Sequence, residues 1–251
     1  MIGQHTVMCM RIVSDKQTEL SDGEIAYFHP LEGARPVVAE IEHKPEKTIN
    51  TRKTLDSWSV HNRTHSRLKL AAQLGVSDRA LQMLECTKAP HYQTWGFPMR
   101  DGYNEYTGIR LRHENGQKWA VPGSHQGIFI PQTTPQKEAF ICEGPTDTAA
   151  ALTMGLFAIG RPSCCGGAAF IRTALQRLRV RAAIIIADND DPGLRGAETM
   201  AAQVGLPCAI LVLPAKDVRE FVNGGGTAQD IRLLLRNVVW RTNEKDQLCP
   251  R

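Results

Sequence analysis

From Lys137 onward the sequence predicts an α/β domain, a four-stranded parallel sheet flanked by helices, and ahead of it a small α+β subdomain. Two observations carry that prediction. Apolar runs of strand length alternate with helical patterns across short links, the order that builds a parallel sheet covered on both faces. Acidic residues follow directly on two of those runs, where open α/β sheets place their ligands. The two segments are Ile141-Cys142-Glu143-Gly144-Pro145-Thr146-Asp147 and Ile184-Ile185-Ile186-Ala187-Asp188-Asn189-Asp190-Asp191-Pro192-Gly193.

Taken in order, residues 1–58 show no steady periodicity and read as a variable N-terminal extension. Residues 59–136 form the small subdomain. Arg67–Gln73 and Asp78–Leu84 read as a helical pair around Leu74-Gly75-Val76-Ser77, with Ser77 as N-cap. Phe97–Tyr103, Thr107–Arg112, Lys118–Val121 and Gly127–Pro131 read as short strands, and Glu114-Asn115-Gly116-Gln117 supplies a hairpin turn. Within the α/β domain, residues 137–238, strands are expected at Ala139–Cys142, Leu156–Gly160, Ala182–Asp188 and Cys208–Pro214. Helices are expected at Thr146–Met154, Ala168–Leu178, Leu194–Val204 and Asp230–Val238; the second carries Phe170, Ile171, Leu175 and Leu178 at helical spacing. Residues 239–251 are left as a C-terminal tail.

At 251 residues, 42% hydrophobic and 22% charged, the chain has the length for one core and a smaller subdomain. No apolar run approaches the ~20 residues of a membrane-spanning helix. The N-terminus has no basic segment leading into an apolar stretch, so no secretion signal is expected. A cytoplasmic protein without a membrane partner is the expectation. Seven irregularly spaced cysteines do not make a disulfide framework, and without a Cys-x-x-Cys pair no zinc ribbon is expected. Adjacent Cys164 and Cys165 read as small residues in a Gly-rich turn. The net charge is +4, unevenly spread: residues 1–50 hold five Lys/Arg against eight Asp/Glu, residues 51–125 eleven against six. A basic middle segment is the footprint of a polyanionic partner.

The acidic segments point to metal-assisted phosphate chemistry. Asp188 and Asp190 stand two apart at an extended strand end, so their side chains share a side. With Glu143 from a neighbouring strand they make a set of oxygen ligands for Mg²⁺, or Mn²⁺ in its place. Glu143 serves either as ligand or as general base. Gly144 permits close backbone approach, and Pro145-Thr146 opens a helix whose N-terminus can face phosphate. Transfer at a phosphodiester needs neutralised phosphate oxygens and a positioned nucleophile, which a carboxylate-held metal provides. Either segment alone also reads as the start of a helix, with Asp188–Asp191 as cap; their joint placement favours a site. Lys216 and Arg219 either reach a phosphate or flank a solvated loop in which Asp217 caps a short helix. His61 and His65, four apart, have no third ligand and read as part of a basic face. Trp95, Phe97, Tyr103 and Tyr106 read first as core, second as base-stacking platforms.

Glu143-Gly144-x-x-Asp147 followed by Asp188-x-Asp190-x-x-Gly193 resembles the Toprim domain of bacterial-type primases, topoisomerases and some nucleases. The intervening Gly160-Arg161-Pro162-Ser163-Cys164-Cys165-Gly166-Gly167 stands where primase-like Toprim domains turn into a helix. Leu213-Pro214-Ala215-Lys216-Asp217-Val218-Arg219-Glu220-Phe221 is similar to the Lys-Asp segment of primases and phage primase-helicases. Upstream, Trp95–Asp101, Tyr106–Arg112, Gly116–Lys118 and Gly127–Pro131 resemble the small subdomain that precedes Toprim in primase cores. The likeness covers residues 95–235.

The resemblance implies a Toprim-like fold and an acidic metal site of Glu143, Asp188 and Asp190, supported by Asp147 with Asp217 nearby. It implies a DNA primase-like nucleotidyltransferase acting on single-stranded DNA with nucleoside triphosphates, in the replication of a bacterial, phage or mobile element. Arg100, Arg110, Arg112 and Lys118 are expected to face the nucleic-acid backbone across a basic cleft. Bacterial-type primases carry a zinc ribbon that this sequence does not encode, so a helicase or zinc-domain partner is expected to help initiation. A Toprim nuclease and a non-catalytic nucleic-acid-binding module remain the alternatives; a topoisomerase is the least compatible, for want of a strand-gating domain.

Overall fold

The computed structural model describes residues 6–9, 17–19, 25–30, 48–59, 64–90, 94–163 and 166–242. The chain divides into two units, Met1–Glu46 and Lys47–Arg251. In the first, strands β1 (Thr6–Cys9), β2 (Gln17–Glu19) and β3 (Ile25–Pro30) form an antiparallel sheet of order β1-β3-β2. Strands this short leave too little alternation to register as a period in the sequence.

The second unit starts inside the segment that the sequence assigned to the extension. Helix α1 (Thr51–Ser59) is capped by Asn50, whose side chain accepts from Lys53 N at 3.0 Å. Its buried residues Thr51, Leu55 and Trp58 share one helical face. Leu55 and Trp58 pack on Ala89, Ile109, Leu111 and Val121. Helices α2 (Thr64–Leu74) and α3 (Asp78–Met83) follow the expected pair, with Ser77 accepting from Ala80 N at 3.1 Å. Strands β4 (Thr87–Ala89), β5 (Thr94–Arg100), β6 (Tyr106–His113) and β7 (Lys118–Ala120) form an antiparallel sheet in chain order. The expected hairpin closes β6 on β7, His113 N donating to Gln117 O at 2.9 Å.

The α/β layer runs β8 (Glu138–Glu143), α4 (Gly144–Thr153), β9 (Ala158–Arg161), α5 (Ala168–Arg177), β10 (Ala182–Ala187), α6 (Asp191–Gln203) and β11 (Cys208–Val212). Helices α7 (Val218–Asn223) and α8 (Ala228–Leu234) come next, then a 3-10 turn Leu235–Asn237 and β12 (Trp240–Arg241). The sheet order is β12-β11-β10-β8-β9. Its four long strands are parallel as expected, and β12 adds an antiparallel edge within what the sequence left as tail. Two layers of apolar side chains explain the unbroken apolar strands. Phe140, Ile184, Ile186 and Leu211 pack with α4 and α7, while Ile141, Ile185 and Ala187 pack with α5 and α6.

This order places the topological switch between β8 and β10. The chain leaves β8 toward β9, crosses back to β10 and continues to β11, which opens a crevice at the carboxyl ends of β8 and β10. Residues 127–131 do not form a strand of their own; they join the two sheets. Ile128 exchanges two backbone hydrogen bonds of 2.8 Å with Arg100 on β5, and Phe129 exchanges bonds of 2.8 and 2.9 Å with Gly160 on β9. A Cβ at Gly160 would lie 2.9 Å from both Gly144 O and the Phe129 ring, so the junction needs glycine there. It fixes the antiparallel sheet against the sheet that carries the acidic segments.

Candidate functional site

Glu143 ends β8 and occupies the N-cap position of α4, its side chain 30% exposed. Gly144 follows at φ +74°, a left-handed turn that favours glycine. One turn into α4, Asp147 is buried, and its Oδ1 accepts the backbone N–H of Arg219 at 3.2 Å, tying α7 to α4. Asp188 lies immediately beyond β10, half-buried. A Cβ at Gly193 would lie 2.5 Å from Asp188 O, so glycine lets the first turn of α6 rest on that residue. Asp190 is exposed and caps α6, accepting from Gly193 N at 2.8 Å. Asp217 caps α7 in the same way through Glu220 N at 2.7 Å. Asn189 N donates to Lys216 O at 2.8 Å, joining the loops that follow β10 and β11. The capping reading of Asp190 and Asp217 is therefore correct, and it coexists with their position at the sheet edge.

Two of these acids, Asp188 and Asp147, are held well above the usual carboxylate range. Burial raises Asp188 to about 6, helped by the negative charges of Glu143, Asp217 and Asp190 and opposed by Arg161. Burial likewise raises Asp147 to about 7, reinforced by Asp217 and Asp188 and opposed by Arg219 with its backbone N–H. Five carboxylates thus share one field. Among the described residues, no group of three or more His, Cys, Asp or Glu side chains already closes around a point as a metal cage. The expected three-carboxylate cluster is gathered at one edge without being closed. An oxygen-only donor set that crowds negative charge still fits Mg²⁺, which takes one or two carboxylates and completes its shell with water and phosphate.

The raised carboxylates predict a pH dependence. A folded-state pKa above the unfolded value stabilises the fold below the unfolded pKa, and that stabilisation is lost as pH rises through the folded one. Metal-free protein is expected to lose stability between about pH 4 and 7 at Asp147 and Asp188, on the order of a few kcal/mol. Asp78, lowered chiefly by its Arg67 hydrogen bond, acts at more acidic pH and leaves that window clear. Denaturant unfolding at pH 5 and pH 8 checks this, with Asp147→Asn expected to flatten the difference; equal slopes in both proteins contradict it.

The basic residues divide. Arg110 and Arg112 share a face of β6. Arg110 Nη2 donates to Pro162 O at 3.3 Å, just past β9. Arg112 is half-buried and lowered by burial and by the Arg219 charge, with Asp147 pulling the other way. Lys118 pairs opposite Arg112 on β7 and is exposed, as is Lys216. Arg112 and Arg219 therefore stand beside Asp147 at the acidic edge, while Arg110 reaches the loop after β9.

Arg100 does not join them. It is 6% exposed, ion-paired to Glu85, and donates from Nη1 to Asn104 O at 2.8 Å. Its guanidinium carbon stands 3.8 Å from the Tyr106 ring centroid, and Tyr106 OH donates to Glu85 Oε1 at 2.8 Å. The expectation of a phosphate contact at Arg100 is corrected: its charge is spent inside the small subdomain. Arg100→Ala is expected to cost about 1–3 kcal/mol by leaving Glu85 with only the Tyr106 hydroxyl as partner while changing DNA affinity less than Arg112→Ala does. Unfolding midpoints and fluorescence anisotropy check the two halves.

Trp95 and Phe97 are core residues and Tyr106 is held by Glu85, whereas Tyr103 is exposed. His61, Cys164 and Cys165 lie outside the described residues. Sequence reasoning assigned no role to Arg161, which is fully buried at the end of β9 with Nη2 3.7 Å from Glu143 Oε2. A single charged residue closing the apolar run Ala158-Ile159-Gly160 was the available signal. A cavity of about 740 Å³ opens beside α7 and α8, lined by Pro214, Phe221, Gly225, Leu233 and Leu234 among others. Its charged lining, Glu220 and Asp230, includes no Lys or Arg to meet phosphate, so the candidate site is the carboxylate edge.

No protein-family model matches the chain, and no curated protein matches it. Solved structures do. A DnaG primase catalytic domain bound to single-stranded DNA matches with a TM-score of 0.59 at 13% identity, over 75% of this chain and 80% of that one. The zinc-binding and RNA polymerase domains of Aquifex aeolicus primase match with a TM-score of 0.60 at 14% identity, over 76% and 60%. The primase fragment of the bacteriophage T7 primase-helicase matches with a TM-score of 0.51 at 18% identity, over 65% and 72%. At these identities the likeness speaks for architecture: the chain has a primase-type catalytic-core fold.

Proposed function

We propose that the protein is a primase-like, Mg²⁺-dependent nucleotidyltransferase of the Toprim type, extending nucleic acid on a single-stranded DNA template during replication of a bacterial, phage or mobile element. One observation carries this reading. Glu143 and Asp188, the carboxylates at the ends of β8 and β10, stand at the switch point of a primase-type sheet with Asp147, Asp190 and Asp217 around them and Arg112 and Arg219 beside Asp147. Glu143, Asp188 and Asp190 would hold the metal, with Asp217 nearby; Mn²⁺ has the same donor preference. Bound there, the ion supplies neutralisation of phosphate charge and polarisation of the reacting phosphorus.

The chain's own groups do the rest. Arg112 and Arg219 bind phosphate oxygens, and Arg110, Lys118 and Lys216 extend a basic track for the template. Asp147, through the Arg219 backbone, holds α7 at the height where that guanidinium meets phosphate. A 3′-hydroxyl oxygen attacks the α-phosphorus of a nucleoside triphosphate, its proton passes to an edge carboxylate or to solvent, and pyrophosphate leaves. Single-stranded DNA, seen on the DnaG neighbour, is the proposed template.

The test is incorporation of labelled nucleotides on a single-stranded template, run beside degradation of labelled strands by the same preparation. Mg²⁺-dependent incorporation that is lost in Glu143→Gln is the expected result. Degradation without incorporation supports a nuclease instead, and binding without either supports a non-catalytic module.

A further inference from the structure

The parallel register aligns Arg161, the last residue of β9, with Glu143, the last residue of β8. The register sets both residues side by side at the carboxyl edge of the sheet, Glu143 at the crevice and Arg161 on the strand beyond it. Arg161 is fully buried. A guanidinium is a fixed positive charge. Burying such a charge costs several kcal/mol unless carboxylates offset it. Glu143 stands 3.7 Å away, and Asp188 lies close enough for Arg161 to oppose the repulsion from Glu143, Asp217 and Asp190.

We infer that Arg161 is a positioning residue and built-in counter-cation: it holds Glu143 at the acidic edge and weakens the edge's affinity for a free divalent ion, so that metal arrives with the phosphates of the nucleotide. This rests on the metal-dependent reading of the same site. A mobile cation leaves when a better one arrives, whereas Arg161 is anchored in the strand and acts on every ion that enters. Free Mg²⁺ therefore meets an edge whose charge is already partly cancelled. Mg²⁺ carried by a triphosphate brings its own negative oxygens, which Arg112 and Arg219 favour.

Calorimetric titration of the full chain with Mg²⁺ alone tests this in wild type, Arg161→Met and Arg161→Lys. Arg161→Met should bind Mg²⁺ about tenfold more tightly or better, and its melting temperature should rise further on Mg²⁺ addition than that of wild type. Arg161→Lys should stay near wild type. Because removing both partners of a buried pair is tolerated better than removing one, Glu143→Gln/Arg161→Met guards against a misfolded single variant; it should bind Mg²⁺ more tightly than Glu143→Gln. A purely structural Arg161 would lower stability equally with and without Mg²⁺. Unchanged or weaker Mg²⁺ binding in both Met-containing proteins overturns the inference. If neither wild type nor variants bind Mg²⁺ or Mn²⁺ and wild type incorporates no nucleotide, the metal reading of the site fails instead.

Discussion

Replacing Asp188 by Asn is expected to lower template-directed nucleotide incorporation by at least ~10³-fold, a loss on the order of 4 kcal/mol of transition-state stabilisation. The residue sits at the crevice between β8 and β10, and its charge is the one most directly repelled by Glu143, Asp217 and Asp190. Its half-buried carboxylate is crowded by three others, and a cation entering the crevice relieves that repulsion. The same observation predicts stability. Since the folded protein disfavours ionised Asp188, the Asn variant is expected to unfold no sooner than wild type above pH 6 in metal-free buffer. Activity lost with stability kept separates a site residue from a structural one. Single-turnover incorporation and denaturant unfolding on the same preparation check both, and an active Asn variant would remove Asp188 from the site.

The second large effect is on DNA. The double variant Arg112→Ala/Arg219→Ala is expected to weaken single-strand binding about tenfold or more at low salt. It is also expected to reduce the slope of log affinity against log salt by about 1.4, from two lost phosphate contacts at roughly 0.7 each. These guanidiniums lie near enough to repel each other in a half-buried place, a cost that a bound phosphate relieves. Truncating Arg219 leaves its backbone bond to Asp147 in place, so the docking of α7 survives. Anisotropy titrations across a salt series read both numbers. An unchanged slope would show that these side chains do not meet the nucleic acid.

The parallel layer was legible because both of its faces are buried. Ile184, Ile185 and Ile186 have no exposed side to interrupt the apolar run, and acids that break off such runs mark its carboxyl edge. What escaped depends on partners far away in sequence. Leu55 and Trp58 declare a helix only once Ile109 and Leu111 are there to bury them. Arg100 looks like a surface base until Glu85 and Tyr106 enclose it. Residues 127–131 have the composition of a strand and become the bridge between two sheets. The two-residue β12 is too short to carry a period. Arg161 was visible only as a charge out of place, since its meaning comes from the register that sets it opposite Glu143.

Nucleotide chemistry is assigned to the carboxyl ends of β8 and β10. An anomalous-difference map from crystals grown with Mn²⁺ and a nucleoside triphosphate tests it most directly. The account predicts a peak bounded by Glu143 and Asp188, with triphosphate oxygens completing its shell and the Arg112 and Arg219 side chains on the phosphates. A triphosphate bound elsewhere, or Mn²⁺ absent from that edge while the nucleotide is present, would contradict it.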